Sequence, residues 1–178
     1  MIINEYKTIF VHIPKSAGTS IESYFGSGSF TIQPPKHDNI HQIKIRFPEI
    51  YKTYRKFAII RNPYDKMVSW YFYLKRNLGD YNIIEFNEWI KDPTKFWHID
   101  DPISFLDSQC SWIDKTVEVI KFENLNEELN KFFGFKIDLP ITNMSIHDHY
   151  LDYYNQESLN YIYDKYKEDF DKFNYKKI

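Results

Sequence analysis

The residues with the clearest chemical potential lie between Lys15 and Ser20, directly after a short apolar run. Thr8 to Ile13 is rich in β-branched and aromatic residues and stops at Pro14, which predicts a buried strand. Small residues follow it, and the stretch from Thr19 to Phe25 has the spacing of a helix. The segment therefore predicts a strand, a tight turn and a helix start.

Such a turn is typical of an anion site, because it aims several backbone N–H groups and the positive end of the helix dipole at one point. Small side chains let a phosphate approach the backbone closely, two hydroxyls add donors, and a lysine adds a mobile cation. The candidate residues are Lys15, Ser16, Ala17, Gly18, Thr19 and Ser20. The pattern leaves one alternative open, a structural turn in which a serine or threonine caps the helix.

The turn differs from the loop that binds nucleoside triphosphates in many kinases. In that loop a lysine follows the last glycine, whereas here Lys15 precedes Gly18 by three residues and no lysine comes directly after it. No acidic residue stands out at the end of another predicted strand as a partner for magnesium. The segment is thus suited to phosphate without the usual metal-binding arrangement.

A second anion site is predicted further along the chain. Phe57 to Ile60 is another apolar run, and Arg61 follows at its carboxyl end, where open α/β sheets bind ligands. Pro63 then starts a helix, and Ser69 lies about two turns along it. An arginine fork and a hydroxyl can hold a phosphate distinct from the first. Taken alone, the pattern also fits an arginine in a surface ion pair and a serine that faces solvent.

The two segments together resemble a known family. Pro14 to Ser20 resembles the 5′-phosphosulfate loop of the sulfotransferases that use PAPS (3′-phosphoadenosine 5′-phosphosulfate), and Arg61 to Tyr64 with Ser69 resembles their 3′-phosphate motif. The match is nearest to the carbohydrate sulfotransferases, including the heparan sulfate 2-O type. Phe122 to Leu125 and Tyr163 to Tyr175 also resemble that group, so the resemblance covers most of the chain.

The resemblance implies a role for each matched residue. Lys15 would contact the 5′-phosphate and the bridging oxygen, and the backbone from Ser16 to Ser20 would hold the 5′-phosphate with the hydroxyls of Thr19 and Ser20. Arg61 and Ser69 would bind the 3′-phosphate. No metal would be required.

Transfer to a hydroxyl also needs a base for the acceptor proton, and histidine suits that task at neutral pH. His37 and His41 lie between the two motifs, in the interval where the carbohydrate enzymes carry a catalytic histidine. His37 matches that placement best, although Lys36 replaces the glycine often found before it, and His41 remains an alternative. A zinc site formed by this pair is disfavoured because no further ligands are evident.

The other four histidines are given no catalytic role. His12 lies inside the first predicted strand and is expected in the core, whereas His98, His147 and His149 are expected in loops. Asn143 to Ser145 stands where related enzymes contact the nucleotide, and loop capping explains it equally well.

The elements that must position these residues alternate between strand and helix. Apolar spacing predicts a third strand at Val117 to Ile120. Helices are predicted from Tyr64 to Asn77, from Ile83 to Ile90, from Asn124 to Phe133 before Gly134, and from Gln156 to Phe173. Such alternation predicts an α/β fold with a central parallel sheet flanked by helices. With the phosphate turns and the resemblance, the expectation is a P-loop-like three-layer fold that forms a single domain over residues 1–178.

Composition excludes several other kinds of protein. The chain has 178 residues, 43% of them hydrophobic, and a formal net charge of −2, which disfavours disorder and a broad face for nucleic acid. One cysteine, Cys110, excludes an internal disulfide. No apolar run is long enough to cross a bilayer and no leader is evident, so a soluble cytoplasmic protein without a membrane anchor is expected.

The function expected from the sequence is sulfuryl transfer from PAPS to a hydroxyl, with adenosine 3′,5′-bisphosphate (PAP) as product. The resemblance implies a glycan as acceptor. Loops 26–36 and 78–104 would build the acceptor pocket, and their composition names no particular sugar. Two alternatives remain open, a small P-loop-type kinase and a nucleotide-binding module that has lost catalysis.

Overall fold

The fold is described from a computed structural model of the chain. The structure describes residues 1–26, 31–32, 37–78, 84–96, 106–140, 142 and 147–178. It divides into two compact units, the first formed by Met1–Arg61 and Gln109–Asn143 and the second by Asn62–Ser108 and Met144–Ile178.

The first unit contains a five-stranded sheet with the spatial order β3-β1-β2-β4-β5. The strands are β1 (Ile2–Ile3), β2 (Thr8–Val11), β3 (Thr31–Ile32), β4 (Arg55–Ile60) and β5 (Glu118–Lys121). The three predicted strands, now β2, β4 and β5, pair in parallel, whereas β1 pairs antiparallel with both β2 and β3. The α/β class is therefore confirmed, and the sheet is mixed because two short strands without a sequence signal extend one edge.

Parallel pairing brings the ends of β2 and β4 side by side. Phe10 lies opposite Phe57, and Val11 lies opposite Ala58. All four are fully buried, as expected for strands with both faces covered. The turn after β2 and the residue after β4 therefore leave the sheet at the same edge.

The described part of the first unit also contains four α-helices. They are α1 (Gly18–Phe25), α2 (Ile40–Arg46), α3 (Pro48–Thr53) and α6 (Leu125–Phe133). Helix α6 ends at Gly134, which has a φ of 79° and donates its N–H to the Asn130 carbonyl, as the sequence predicts. The core between these elements is mainly aromatic and aliphatic, and includes Phe10, Ile21, Phe25, Phe57, Ile120, Leu129 and Phe132.

The second unit is helical where it is described. Its helices are α4 (Pro63–Leu78), α5 (Phe86–Trp89), α7 (Gln156–Lys165) and α8 (Lys167–Phe173). Aromatic rings fill its interior, and Tyr64 packs against both Tyr154 and Phe170 at centroid distances of 5.4 and 4.9 Å.

The closing helix predicted from Gln156 to Phe173 is wrong as a single element. It breaks at Tyr166, whose φ and ψ are −111° and 24°. The Tyr166 ring is buried and its hydroxyl donates to the Leu106 carbonyl at 3.0 Å, while buried Asp169 accepts a hydrogen bond of 2.6 Å from Ser108. The break lets both polar groups reach partners, and neither proline nor glycine marks it.

Candidate functional site

The turn between β2 and α1 holds two residues in a backbone conformation that only glycine adopts easily. Lys15 has a φ of 65° and Ala17 a φ of 56°. Left-handed backbone at a non-glycine residue costs on the order of 1–3 kcal/mol and is concentrated at ligand-binding turns. Alternation of this conformation with right-handed residues makes a concave set of N–H groups suited to an anion. Positive φ at these two residues is consistent with such a turn, and the phosphate site itself stays a prediction.

No side chain caps the start of α1. The residue at the N-cap is Ala17, whose side chain has no hydrogen-bonding atom. Ser20 instead shares a hydrogen bond of 3.0 Å with Thr142. Side-chain capping thus explains neither the turn nor its hydroxyls.

Ser16 is the most deeply buried hydroxyl of the turn. Its side chain is 1% exposed, and its Oγ has no hydrogen-bond partner among the described residues. Buried hydroxyls in folded proteins nearly always have a partner. A ligand oxygen bound in the turn would supply one. Thr19 lies half-buried in the first turn of α1, and Lys15 is likewise half-buried.

Gly18 is required by a contact that the local sequence does not indicate. A Cβ built at this position would lie 1.9 Å from Nε2 and 2.1 Å from Cδ2 of His12. No real Cβ contact is this short, so the imidazole takes up the space of a side chain. The His12 ring packed against its backbone leaves no room for a side chain at position 18. This requirement adds to the expected close approach of a phosphate.

His12 is buried, as predicted, but it is not a simple core residue. Its Nδ1 lies 2.7 Å from Oε1 of Glu22 on α1, and the residue as a whole is 5% exposed. On one side Phe10 stacks against it at 5.7 Å, and the His37 ring lies 4.8 Å away at a tilt of 53°. The structure thus brings three ionisable side chains together beside the turn.

Arg61 links the two sequence motifs. Its Nη1 donates to the Lys15 carbonyl at 3.1 Å, and its guanidinium lies 4.2 Å from the centre of the Phe122 ring. The two motifs, separated by 46 residues, therefore meet at the edge where β2 and β4 end.

Gln109 fixes the backbone of Arg61 and has no counterpart in the sequence analysis. Its Oε1 accepts from the Arg61 N–H at 2.9 Å, and its Nε2 donates to the Arg61 carbonyl at 2.8 Å. The residue is fully buried. Its amide therefore pairs with both backbone groups of Arg61 as a neighbouring strand would. The only sequence signal is a polar residue beside apolar Cys110, Trp112 and Ile113.

Ser69 belongs to α4 in the second unit, where it is 5% exposed. The start of α4 has the predicted form, because Pro63 is its first residue and Asn62 Oδ1 accepts from the Tyr64 N–H at 3.0 Å. The alternative of a solvent-facing serine is wrong.

The two candidate bases have different surroundings. His37 is half-buried and contacts His12, whereas His41 is exposed in the first turn of α2. His41 lies near Asp114, where burial raises the pKa of the carboxyl but hydrogen bonds from Thr116 and Tyr51 and the charge of His41 hold the pKa below its usual value. Among the described contacts, the ring contact of His37 with His12 places it beside the turn.

The other residues considered earlier add no metal site. His147 stacks on Phe72 at 5.2 Å, and exposed His149 accepts a hydrogen bond from the Leu151 N–H. His98 and the segment from Asn143 to Ser145 lie outside the described residues. Within the described part of the chain, no group of three or more His, Cys, Asp or Glu could hold a metal ion. None of its helices has the length and apolar character needed to cross a membrane.

Comparison with known proteins gives one match. The model of the sulfotransferase family matches residues 1–176. No curated protein and no solved structure matches significantly.

Proposed function

The chain belongs to the sulfotransferase family, and on that premise we propose that it transfers a sulfuryl group from PAPS to a hydroxyl of a glycan. The observation that carries the proposal is the hydrogen bond between the Arg61 guanidinium and the Lys15 carbonyl, which joins the two anion motifs. A donor with a phosphate at each end of its ribose needs two such sites within reach of each other. We also propose that the whole chain forms a single sulfotransferase domain of the P-loop-like three-layer type, most similar to the heparan sulfate 2-O enzymes.

In the proposed reaction the acceptor oxygen attacks sulfur in line with the bond to the 5′-phosphate. The new O–S bond forms as the bond from sulfur to the bridging oxygen breaks. His37 takes the acceptor proton, and PAP leaves with the electron pair of the broken bond. Lys15 and the start of α1 offset the negative charge that develops on the leaving phosphate. No step needs a metal ion.

Nucleotide contacts are assigned by motif and surroundings. The backbone from Ser16 to Ser20, with the hydroxyls of Thr19 and Ser20, holds the 5′-phosphate. The buried Ser16 hydroxyl supports this assignment, because a phosphate oxygen would satisfy it. Arg61 and Ser69 bind the 3′-phosphate, the group that distinguishes PAPS from ATP-like nucleotides.

Substitution of Arg61 tests the assignment of the donor. We expect Arg61→Ala to weaken the affinity for PAP by about 10- to 100-fold, because that is the usual effect of losing a charge-assisted hydrogen bond. The affinity for adenosine 5′-phosphate should change little. Isothermal titration calorimetry measures both. Arg55→Ala is the matched control, since Arg55 lies at the opposite end of β4 and pairs with Glu118. Equal losses for both nucleotides would contradict the role of Arg61.

Two further measurements separate the proposal from the other candidates. Binding of PAP that persists in EDTA would exclude a magnesium-dependent kinase. Labelled sulfate transfer from PAPS to a panel of glycans, phenols and lipids would identify the acceptor, and a protein that binds PAP but transfers to none of them would fit the inactive module.

A further inference from the structure

The buried pair formed by His12 and Glu22 has no role in the proposed reaction as described so far. The pair is formed between the end of β2 and the second turn of α1, with Nδ1 and Oε1 2.7 Å apart. Their side chains are 6% and 20% exposed. A buried imidazole and carboxylate contribute little to stability compared with well-packed apolar side chains. Packing alone is therefore a weak reason to place them here.

Contacts with Glu22, Phe10 and Gly18 hold the His12 ring. Glu22 accepts the hydrogen of Nδ1, and a partner on one ring nitrogen determines which nitrogen carries the proton. Phe10 stacks against the ring, and the Gly18 backbone lies against its opposite edge, where Nε2 and Cδ2 occupy the place of a Cβ. The orientation of His12 is thus set by both the sheet and α1.

His37 contacts the ring that is held in this way. The two imidazole centroids are 4.8 Å apart, within the range of a direct ring contact. His37 precedes α2, whose start is fixed separately by Asn39, which accepts from the N–H groups of His41 and Gln42. The backbone near His37 is held by one element and its imidazole by another.

We propose that Glu22 and His12 are positioning residues for His37, a role that rests on the proposed function and deepens it. Glu22 orients the His12 ring, and the His12 ring holds the His37 imidazole at the phosphate turn, ready to accept the acceptor proton. Neither Glu22 nor His12 contacts the reacting atoms in this scheme. Loss of either should lower turnover without weakening nucleotide binding.

One variant that keeps the shape of the pair and one that removes the imidazole nitrogens test this role. Glu22→Gln retains an oxygen that can accept from Nδ1 but removes the charge, and His12→Phe retains a flat ring but removes both nitrogens. We expect each to reduce kcat by about tenfold or more, less than the roughly 100-fold or greater loss expected when the base itself is removed. The Kd of PAP and the KM of PAPS should change by less than about threefold. Glu49→Gln and His147→Phe are matched controls, because Glu49 is exposed on α3 and His147 lies in the second unit.

A double variant shows whether the pair acts through His37. If it does, Glu22→Gln should cause no further loss of kcat in a His37→Ala background, because residues that act as a unit are not additive. Unchanged kcat in both single variants would overturn the proposal. Equal losses of kcat and of affinity for PAP would also overturn it, because they would show that the pair stabilises the turn after β2 instead of positioning His37.

NMR spectra test the positioning role without any measurement of sulfate transfer. In long-range ¹H–¹⁵N spectra of histidine-labelled protein, Glu22→Gln should shift the ring signals of both His12 and His37 and leave those of His149 unchanged. If wild type fails to bind PAP or transfer sulfate, the proposed function is wrong, and the spectra still decide whether Glu22 acts on His37. Ring signals of His37 that do not move would contradict the positioning role even in an active enzyme.

Discussion

Gly18 shows how one residue can meet two demands in the same turn. Its place in the motif suggests close approach of a phosphate, and the structure adds the His12 ring as a second reason for the missing side chain. The two demands are separable, because only the second depends on His12. Substitution at both positions can therefore distinguish them.

We expect Gly18→Ala to lower the melting temperature, because the new methyl group would lie 1.9 Å from His12 Nε2 and must displace the ring. Overpacking of this kind costs about 1–3 kcal/mol. The Gly18→Ala, His12→Ala double variant should be less destabilised than the sum of its single variants, since the clash is absent. Thermal denaturation followed by circular dichroism measures all three. Full additivity would show that the clash does not determine the requirement for glycine.

Arg61 is positioned by the strand before it and by the side chain of Gln109. Strand β4 ends at Ile60, where sheet pairing stops, and the next residue carries the predicted phosphate contact. Gln109 replaces the missing strand partner with its side-chain amide. The Arg61 backbone is therefore held in place, which restricts where its guanidinium can lie.

Gln109→Leu should therefore weaken both stability and nucleotide binding. It leaves the Arg61 N–H and carbonyl without their amide partner, and each buried group left in that state costs about 1–3 kcal/mol. We expect a lower midpoint in urea denaturation and a weaker Kd for PAP, with less effect on adenosine 5′-phosphate. Gln156→Leu is the control, because Gln156 is exposed at the start of α7. Unchanged PAP affinity in a folded Gln109→Leu protein would show that Arg61 does not depend on this support.

The strands that carry the site could be predicted from local patterns, because β2 and β4 are short runs of buried residues that end in distinctive motifs. Gln109 and Glu22 could not, since their partners lie 48 and 10 residues away and no local pattern specifies such contacts. The break at Tyr166 was missed for the same reason. Helical spacing continues through it, and the hydrogen-bond partners of Tyr166 and Asp169 lie 60 and 61 residues away.

For the molecule as a whole, Lys66 makes stability depend on pH. It lies in α4, 2% exposed, where burial lowers its pKa from 10.5 to about 8 despite the charges of Asp169 and Asp107. Below pH 8 the ammonium is charged in both the folded and the unfolded chain, and folding must bury that charge. As pH rises above 8, the folded state loses the proton first, so stability increases up to the pKa of the unfolded lysine.

We expect the free energy of unfolding to rise between pH 8 and pH 10 by up to about 1.4 kcal/mol per pH unit through Lys66. Above pH 10 the buried tyrosines oppose this gain, because burial raises the pKa of Tyr154 and of Tyr166 and they ionise more readily when unfolded. Urea denaturation across this range measures the slope for wild type and for Lys66→Met. If Lys66 is not buried as an ammonium, wild type and Lys66→Met should show the same slope of unfolding free energy against pH.

The amide of Gln109 also marks where the chain departs from and returns to its first unit. Arg61 is the last residue before the chain leaves that unit, and Gln109 is the first after it comes back. Two hydrogen bonds join these points, so the whole intervening stretch starts and finishes at one place. The entropic cost of closing a loop grows only slowly with its length. Insertions or deletions in this stretch beyond α4, which carries Ser69, should therefore leave the sheet and the turn after β2 as they are. If the proposed function holds, acceptor preference can diverge there while the donor contacts stay constant.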